Sequence, residues 1–347
     1  MNSTLLDPAD TIQENREMDL AEASKTLQDS YTGIRISFGK MGTRKTLTAD
    51  QKQTTADCFD AEPDFIGSSK KLVNTRDPRY KAVTAILTRS REYWQSATIP
   101  YPEDGIRLLP RGRLSAFTAK IETLRDELDA AVQILWECFE EIKTTAEQKL
   151  GSLYNPADYP RDIRGLFRID WDMPSLTPPD WAKTTNPRLY EELSKKVAAR
   201  FDSAVQLAEE AFTAELVEMI DKLQGKLSGL DDGTEKRLKE STLDNLTDFF
   251  SRFRSLNLHS SKELDELVEK AEGILKGRDL IGGKSLNRDD LRNSQAIRSD
   301  VRTKLSAVSA QLEGLMTTAP RRAINRRKPT PTDPPADTTP ADPVEEL

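Results

Sequence analysis

Apolar side chains recur at alternating spacings of three and four from Leu114 to Leu150, through Phe117, Ile121, Leu124, Leu128, Ala131, Leu135, Cys138 and Ile142. A second stretch, Leu189 to Leu227, repeats the pattern through Leu193, Val197, Phe201, Val205, Phe212, Leu216, Met219, Leu223 and Leu227. That spacing places each set on one stripe of a helix. At 1.5 Å per residue each stretch predicts a rod of roughly 55 Å, longer than most globular helices. Rods with one apolar seam need partners, and packing against each other is the simplest expectation. Three-four spacing leaves coiled-coil-like pairing within one chain or between copies open.

The period changes at Tyr31. Ile34, Ile36 and Phe38 alternate with Arg35 and Ser37, as in a half-buried strand, and Gly39 and Gly42 then predict a turn. Arg44 to Leu47 reads as the returning strand of a hairpin. Phe167, Ile169 and Trp171 alternate in the same way and predict a short strand that pairs with Ile34–Phe38. Thr48 with Gln51 has the form of a capping box, and Asp77-Pro78 a cap followed by proline at the first helical position. Prolines 100, 102 and 110 predict the stop of the helix that Asp77 opens. Asn186-Pro187 opens the second rod, and Gly229 with Asp231-Asp232-Gly233 ends it. Three shorter helices follow, over 238–256, 261–276 and from an Asn287 cap through Leu315.

The expected fold is therefore mainly α, an elongated antiparallel long-helix bundle with a small β-hairpin or sheet element. Four segments are expected. Residues 1–30 form an acidic N-terminal arm, mobile or loosely docked, and 31–112 a small α+β segment. Residues 113–320 form the bundle, with a proline-rich connector at 151–186. Residues 321–347 carry a basic run and an acidic Pro/Thr tail that cannot order itself.

Composition narrows the chemistry. The formal charge of −7 is concentrated in residues 1–30 and in the tail after Lys328, leaving the body near +3, so the acidic balance says nothing of partners. Two cysteines, Cys58 and Cys138, and one histidine, His259, are too few for a zinc ribbon or a His-rich metal site. Cys138 lies on the apolar stripe and reads as a small core residue. His259 precedes Ser260 and Glu263, which have the form of a capping box, and reads as a loop residue at a helix start. Two reduced thiols, no basic-then-apolar leader and no run of about 18 apolar residues predict a cytoplasmic protein. No cofactor, metal or enzymatic activity is expected.

Two glycine-lysine segments tempt as phosphate loops. In Gly39 to Thr46 the glycine before Lys45 is replaced by Arg44, and in Gly277 to Ser285 an arginine, Arg278, stands where the first glycine belongs. A phosphohydrolase using Lys45 or Lys284 stays only as a third reading behind the two below. Basic contact residues remain: Arg44 and Lys45 at the expected hairpin tip, and Arg321, Arg322, Arg326, Arg327 and Lys328 past the last helix. Such runs neutralise phosphates, although no aromatics interleave to stack on bases.

The order of the pieces resembles a known family. ISFGKMGTRKTL is followed by SSKKLVN, by the junction ATIPYPEDG before a long helix, by YPRDIRGLFRIDW, and by LNRDDLRNSQAIRSDV running into RRAINRR. Over roughly residues 31–328 this resembles an uncharacterised bacterial and phage family. Its members are often encoded beside MoxR/CobS-like AAA+ ATPases and von Willebrand factor A domain proteins. Polar inserts around Thr54–Ile66 and Gly105–Arg113 depart from it, and the family offers no catalytic residues to carry over. The resemblance implies a non-enzymatic interaction or scaffold protein, an adaptor or substrate of a MoxR-type ATPase. The residues leave a second reading, a nucleic-acid-associated phage or mobile-element protein using the basic run.

Overall fold

The alternation at Ile34, Ile36 and Phe38 becomes strand β1 (Tyr31–Gly39), at the centre of a four-stranded antiparallel sheet. Strand β6 (Arg168–Asp172) pairs with the second half of β1, Ile36 opposite Trp171 and Phe38 opposite Ile169, the pairing that the two alternations predict. Strand β5 (Ile106–Pro110) pairs with the first half, Tyr31 opposite Pro110 and Arg35 opposite Ile106. Strand β4 (Ile99–Pro100) edges β5. The prolines expected only to stop a helix thus frame a hairpin, Pro100 on its edge strand and Pro110 at its end, where a missing donor is tolerated. The computed structural model describes residues 8–228, 240–277, 291 and 294–318.

Period-two alternation gives the sheet two apolar faces. Ile34 and Ile36 of β1, Leu109 of β5 and Ile169 of β6 enter one core. Tyr31, Ile106 and Leu108 enter another. Strand β5 is therefore apolar on both sides, the pattern of a strand covered by two layers.

The first layer holds helices α3 (Pro78–Ala97), α4 (Leu114–Glu137) and α5 (Phe139–Leu150). The opposite layer holds α1 (Pro8–Ser30), α7 (Pro187–Leu227), α8 (Glu240–Leu256), α9 (Lys262–Leu275) and α10 (Gln295–Thr318). Short helices α2 (Ala49–Asp57) and α6 (Asp180–Thr185) lie in the connections.

The molecule is mainly helical with a small antiparallel sheet, but its two long seams belong to separate cores. The α4 seam packs on α3, where Tyr93 stacks on Phe117 with ring centroids 5.6 Å apart. The α7 seam packs on α1 and α10. A sheet with two apolar faces covers each seam separately, and each seam buries its apolar surface without the other.

The first rod is also interrupted. Cys138 leaves the helical region at φ −104° and ψ 9°, dividing α4 from α5. Cys138 is half-buried rather than a sealed core residue. The second rod is continuous over 41 residues, opened as expected by Asn186, whose Oδ1 accepts from Leu189 N at 3.1 Å, with Pro187 in the first turn.

The N-terminal segment is firmly docked where its side chains are described. Ala23 and Leu27 are buried in the core shared with α7. The Arg111 guanidinium donates to the carbonyls of Gln28, Asp29 and Tyr31 at 3.3, 2.9 and 3.1 Å. It thereby satisfies acceptors that the end of α1 leaves open.

Candidate functional site

The segment Arg44–Thr46 is a strand, β2, but it does not return along β1. It pairs with β3 (Ser69–Lys71), forming a separate two-stranded ribbon. Gly39 therefore needs no turn conformation. A Cβ there would come within 2.7 Å of the Leu166 carbonyl oxygen, so close approach of the chain leading into β6 is what requires glycine.

The ribbon places Arg44 opposite Lys71 and Lys45 opposite Lys70. Like charges directly opposite on neighbouring strands destabilise a pair. One of the four is neutralised: Lys70 is buried, its Nζ 2.6 Å from Asp158 Oδ2 and donating to the Leu153 carbonyl at 2.6 Å. Arg44, Lys45 and Lys71 are exposed. The two residues expected to carry a basic contact are thus joined by a third, from SSKKLVN, through a ladder that no local pattern announces.

Between β2 and β3 the chain makes an excursion. Thr48 and Gln51 form the expected capping box on α2, Gln51 N to Thr48 Oγ1 at 3.4 Å and Thr48 N to Gln51 Oε1 at 3.1 Å. The helix buries only Ala56. The turn that follows it closes at Asp60, whose φ of +45° is left-handed, with Ala61 N donating to the Ala56 carbonyl at 3.0 Å. This is a Schellman-type stop with aspartate where glycine is usual. Phe59 and Phe65 flank that stop, 77% and 85% exposed. Asp57, Asp60, Glu62 and Asp64 surround them in sequence, all exposed. Residues 54–66 read in sequence as a polar insert, although acidic and aromatic side chains interleave there.

Beside the ribbon lies a groove of about 480 Å³ between the β3–α3 turn and α5. Leu72, Val73, Ile142 and Ala146 give it an apolar floor, and Lys71, Arg76, Arg79 and Lys149 line it. The Asp77 carboxylate accepts from Arg79 Nε and Nη2 at 3.0 and 2.8 Å, and Glu141 accepts from Arg79 Nη1 at 3.0 Å. The Arg79 side chain holds the Asp77 carboxyl below the ordinary carboxylate range, outweighing its partial burial. Beneath the floor, Tyr159 donates from Oη to the Leu72 carbonyl at 2.9 Å, and burial pushes its phenol up to about 12.

A larger cavity, about 690 Å³, opens between α3, the start of α4 and α8. Within its lining Arg252 pairs with Glu215 at 2.5 Å and covers the Phe249 ring. Arg107 lies nearby with its Nε on Thr98 Oγ1 at 2.7 Å, its pKa lowered to about 10 by burial and by Arg252, and so still charged at neutral pH.

The remaining sequence candidates fall as follows. Arg321, Arg322, Arg326, Arg327 and Lys328 lie outside the described residues, as does the Gly283-Lys284-Ser285 segment. Lys45 sits in a strand ladder rather than in a loop opening a helix, so Gly39 to Thr46 does not form a phosphate-cradling turn. His259 is exposed at a φ of +54°, its Nδ1 2.8 Å from Asp265 Oδ2. The helix after it is capped one residue later than expected, by Ser261, whose Oγ accepts from Leu264 N at 3.2 Å. Among the described residues no group of three or more His, Cys, Asp or Glu is placed to hold a metal, and no helix is long and apolar enough to cross a membrane. Comparisons with family models, with curated proteins and with solved structures returned no match.

Proposed function

We propose that the protein is a non-enzymatic interaction scaffold that holds a protein partner through the excursion between β2 and β3. The observation that carries this reading is the exposure of Phe59 and Phe65 on a segment that buries one alanine. Large aromatics left in water beside charged residues mark contact surfaces, because covering them removes apolar area from solvent. The surrounding Asp57, Asp60, Glu62 and Asp64 ask for an apolar pocket with a basic rim. The resemblance described above supplies the partner to try first, a MoxR-type AAA+ ATPase or a von Willebrand factor A domain protein.

The test is a titration of such a purified partner, chosen from the gene neighbourhood, against the full chain and its Phe59→Ser/Phe65→Ser variant. Saturable binding that weakens at least tenfold in the variant is the expected result. Binding that ignores both substitutions removes the excursion from the interface. No binding to either class of partner removes the adaptor reading.

A second reading rests on a different observation, the exposed Arg44, Lys45 and Lys71 brought together on the ribbon. It makes the protein nucleic-acid-associated, with Arg321–Lys328 as a second contact. Affinity would then fall steeply with salt and fall again in Arg44→Glu/Lys45→Glu; a variant that binds nucleic acid as well as the parent chain rejects it.

A further inference from the structure

We infer that the groove between the β3–α3 turn and α5 is a binding site for a phosphate-bearing small molecule with an apolar body. The site is independent of partner docking through Phe59 and Phe65.

Charge is the first argument. The two carboxylates that line the groove, Asp77 and Glu141, both engage Arg79. Lys71, Arg76 and Lys149 line it as well, and among the described residues none of the three has an acidic partner. Arg44 adds a further cation directly across the ladder from Lys71. Arg79 carries one charge against the two carboxylates, so the lining sums to +2; its cations repel one another, and low-dielectric walls focus their field into the space between them. A dianion placed there relieves that repulsion, and a phosphate monoester supplies two charges with several acceptor oxygens.

Shape is the second argument. A volume of about 480 Å³ lies within the range of small-molecule pockets. Its floor is apolar and fixed: Leu72, Val73, Ile142 and Ala146 are buried. The floor segment after β3 is held from below by the Tyr159 hydroxyl on the Leu72 carbonyl, beside the Lys70–Asp158 pair. A preformed floor with cations at its rim matches a ligand whose body is apolar and whose charge sits at one end. A polyanion backbone would use the rim and leave the floor uncovered.

Calorimetric titration of the full chain at low salt with phenyl phosphate, inorganic phosphate and an oligothymidylate tests the assignment. The expected result is saturable one-to-one binding of phenyl phosphate, at least threefold tighter than inorganic phosphate. Arg76→Glu/Lys149→Glu should weaken it at least tenfold, and Arg113→Glu in the larger cavity should leave it unchanged. Should the reversal variant fail to fold by circular dichroism, Arg76→Gln/Lys149→Gln is read in its place, with a weaker loss expected. Phenyl phosphate binding absent, or equal in the parent chain and the variant, overturns the site. Phosphate equal to phenyl phosphate overturns the use of the floor. Tight binding of the oligothymidylate alone replaces the pocket by a polyanion surface.

Discussion

Lys70 Nζ lies 2.6 Å from Asp158 Oδ2, with 4% and 10% of the two side chains exposed. The contact is a buried charge pair, and the ammonium also donates a hydrogen bond to the Leu153 carbonyl. Removing one partner leaves an uncompensated charge in the interior. Asp158→Ala should destabilise the fold by about 3–5 kcal/mol, read as a drop in the chemical denaturation midpoint. Lys70→Met/Asp158→Leu should recover most of that loss; a double variant as unstable as the single one would show that the pair's geometry, not its charge, supports the ribbon.

Tyr159 sets an alkaline limit. Its phenol is raised to about 12 by burial, with Tyr154 and Asp158 adding to the shift. A group that binds its proton more tightly when folded contributes its full stability below its unfolded pKa, about 10. That contribution is lost as pH rises from there through the folded value. Denaturation midpoints should hold between pH 7 and 9 and fall above pH 10. Tyr159→Phe should cost about 1 kcal/mol at pH 7, for the hydrogen bond to Leu72, and should flatten the decline above pH 10.

Asp77 sets the acid side. Its carboxyl is held low chiefly by the Arg79 side chain, and it accepts from Arg79 N at 2.8 Å as the cap of α3. A depressed carboxylate contributes stability above its unfolded pKa and loses it as pH falls through the folded value. Stability should therefore decline below about pH 4. Asp77→Ala should lose about 1 kcal/mol at neutral pH and show a shallower acid decline.

Two glycines near the ribbon should respond differently. At Gly39 a Cβ would meet the Leu166 carbonyl oxygen at 2.7 Å and Arg168 Cγ at 2.6 Å, whereas at Gly42 it meets nothing within 4 Å. Gly39→Ala should destabilise by about 1–3 kcal/mol and loosen the β1–β6 edge. Gly42→Ala should be within about 0.5 kcal/mol of the parent chain. Thermal melts of the two variants separate close approach from turn geometry as the reason for these glycines.

Asp60 offers a gain. It occupies a left-handed backbone position at the end of α2, where glycine carries no Cβ penalty. Asp60→Gly should stabilise α2 by a few tenths of a kcal/mol, measured as slower amide exchange over Ala49–Asp57. Faster exchange would mean that the aspartate side chain itself holds the stop.

The sequence by itself determined what depends on neighbours along the chain. The caps at Thr48, Asp77 and Asn186 formed where their side chains meet the first free amides. The continuous α7 followed from 41 residues whose proline, Pro187, opens the helix and whose one glycine, Gly225, lies in its last turn. The strands at Ile34–Phe38 and Ile169–Trp171 followed from period-two alternation, and their pairing was legible because both carry one apolar face. The tertiary structure decided what depends on partners far away. Periodicity gives a helix an apolar seam but not the surface that covers it, so only the two-faced sheet separated α4 from α7. The break at Cys138 lies just before Glu141, where Arg79 pairs with the first turn of α5, a contact across 62 positions of chain that no helical period encodes. Arg44 and Lys45 were visible as cations, but their juxtaposition with Lys70 and Lys71 required a ladder closed across the α2 excursion. The groove needed that ladder, the Asp77 cap and the face of α5 in one place. Charge and hydrophobicity are written residue by residue, whereas a concave site exists only when distant segments are brought within a few ångströms of one another.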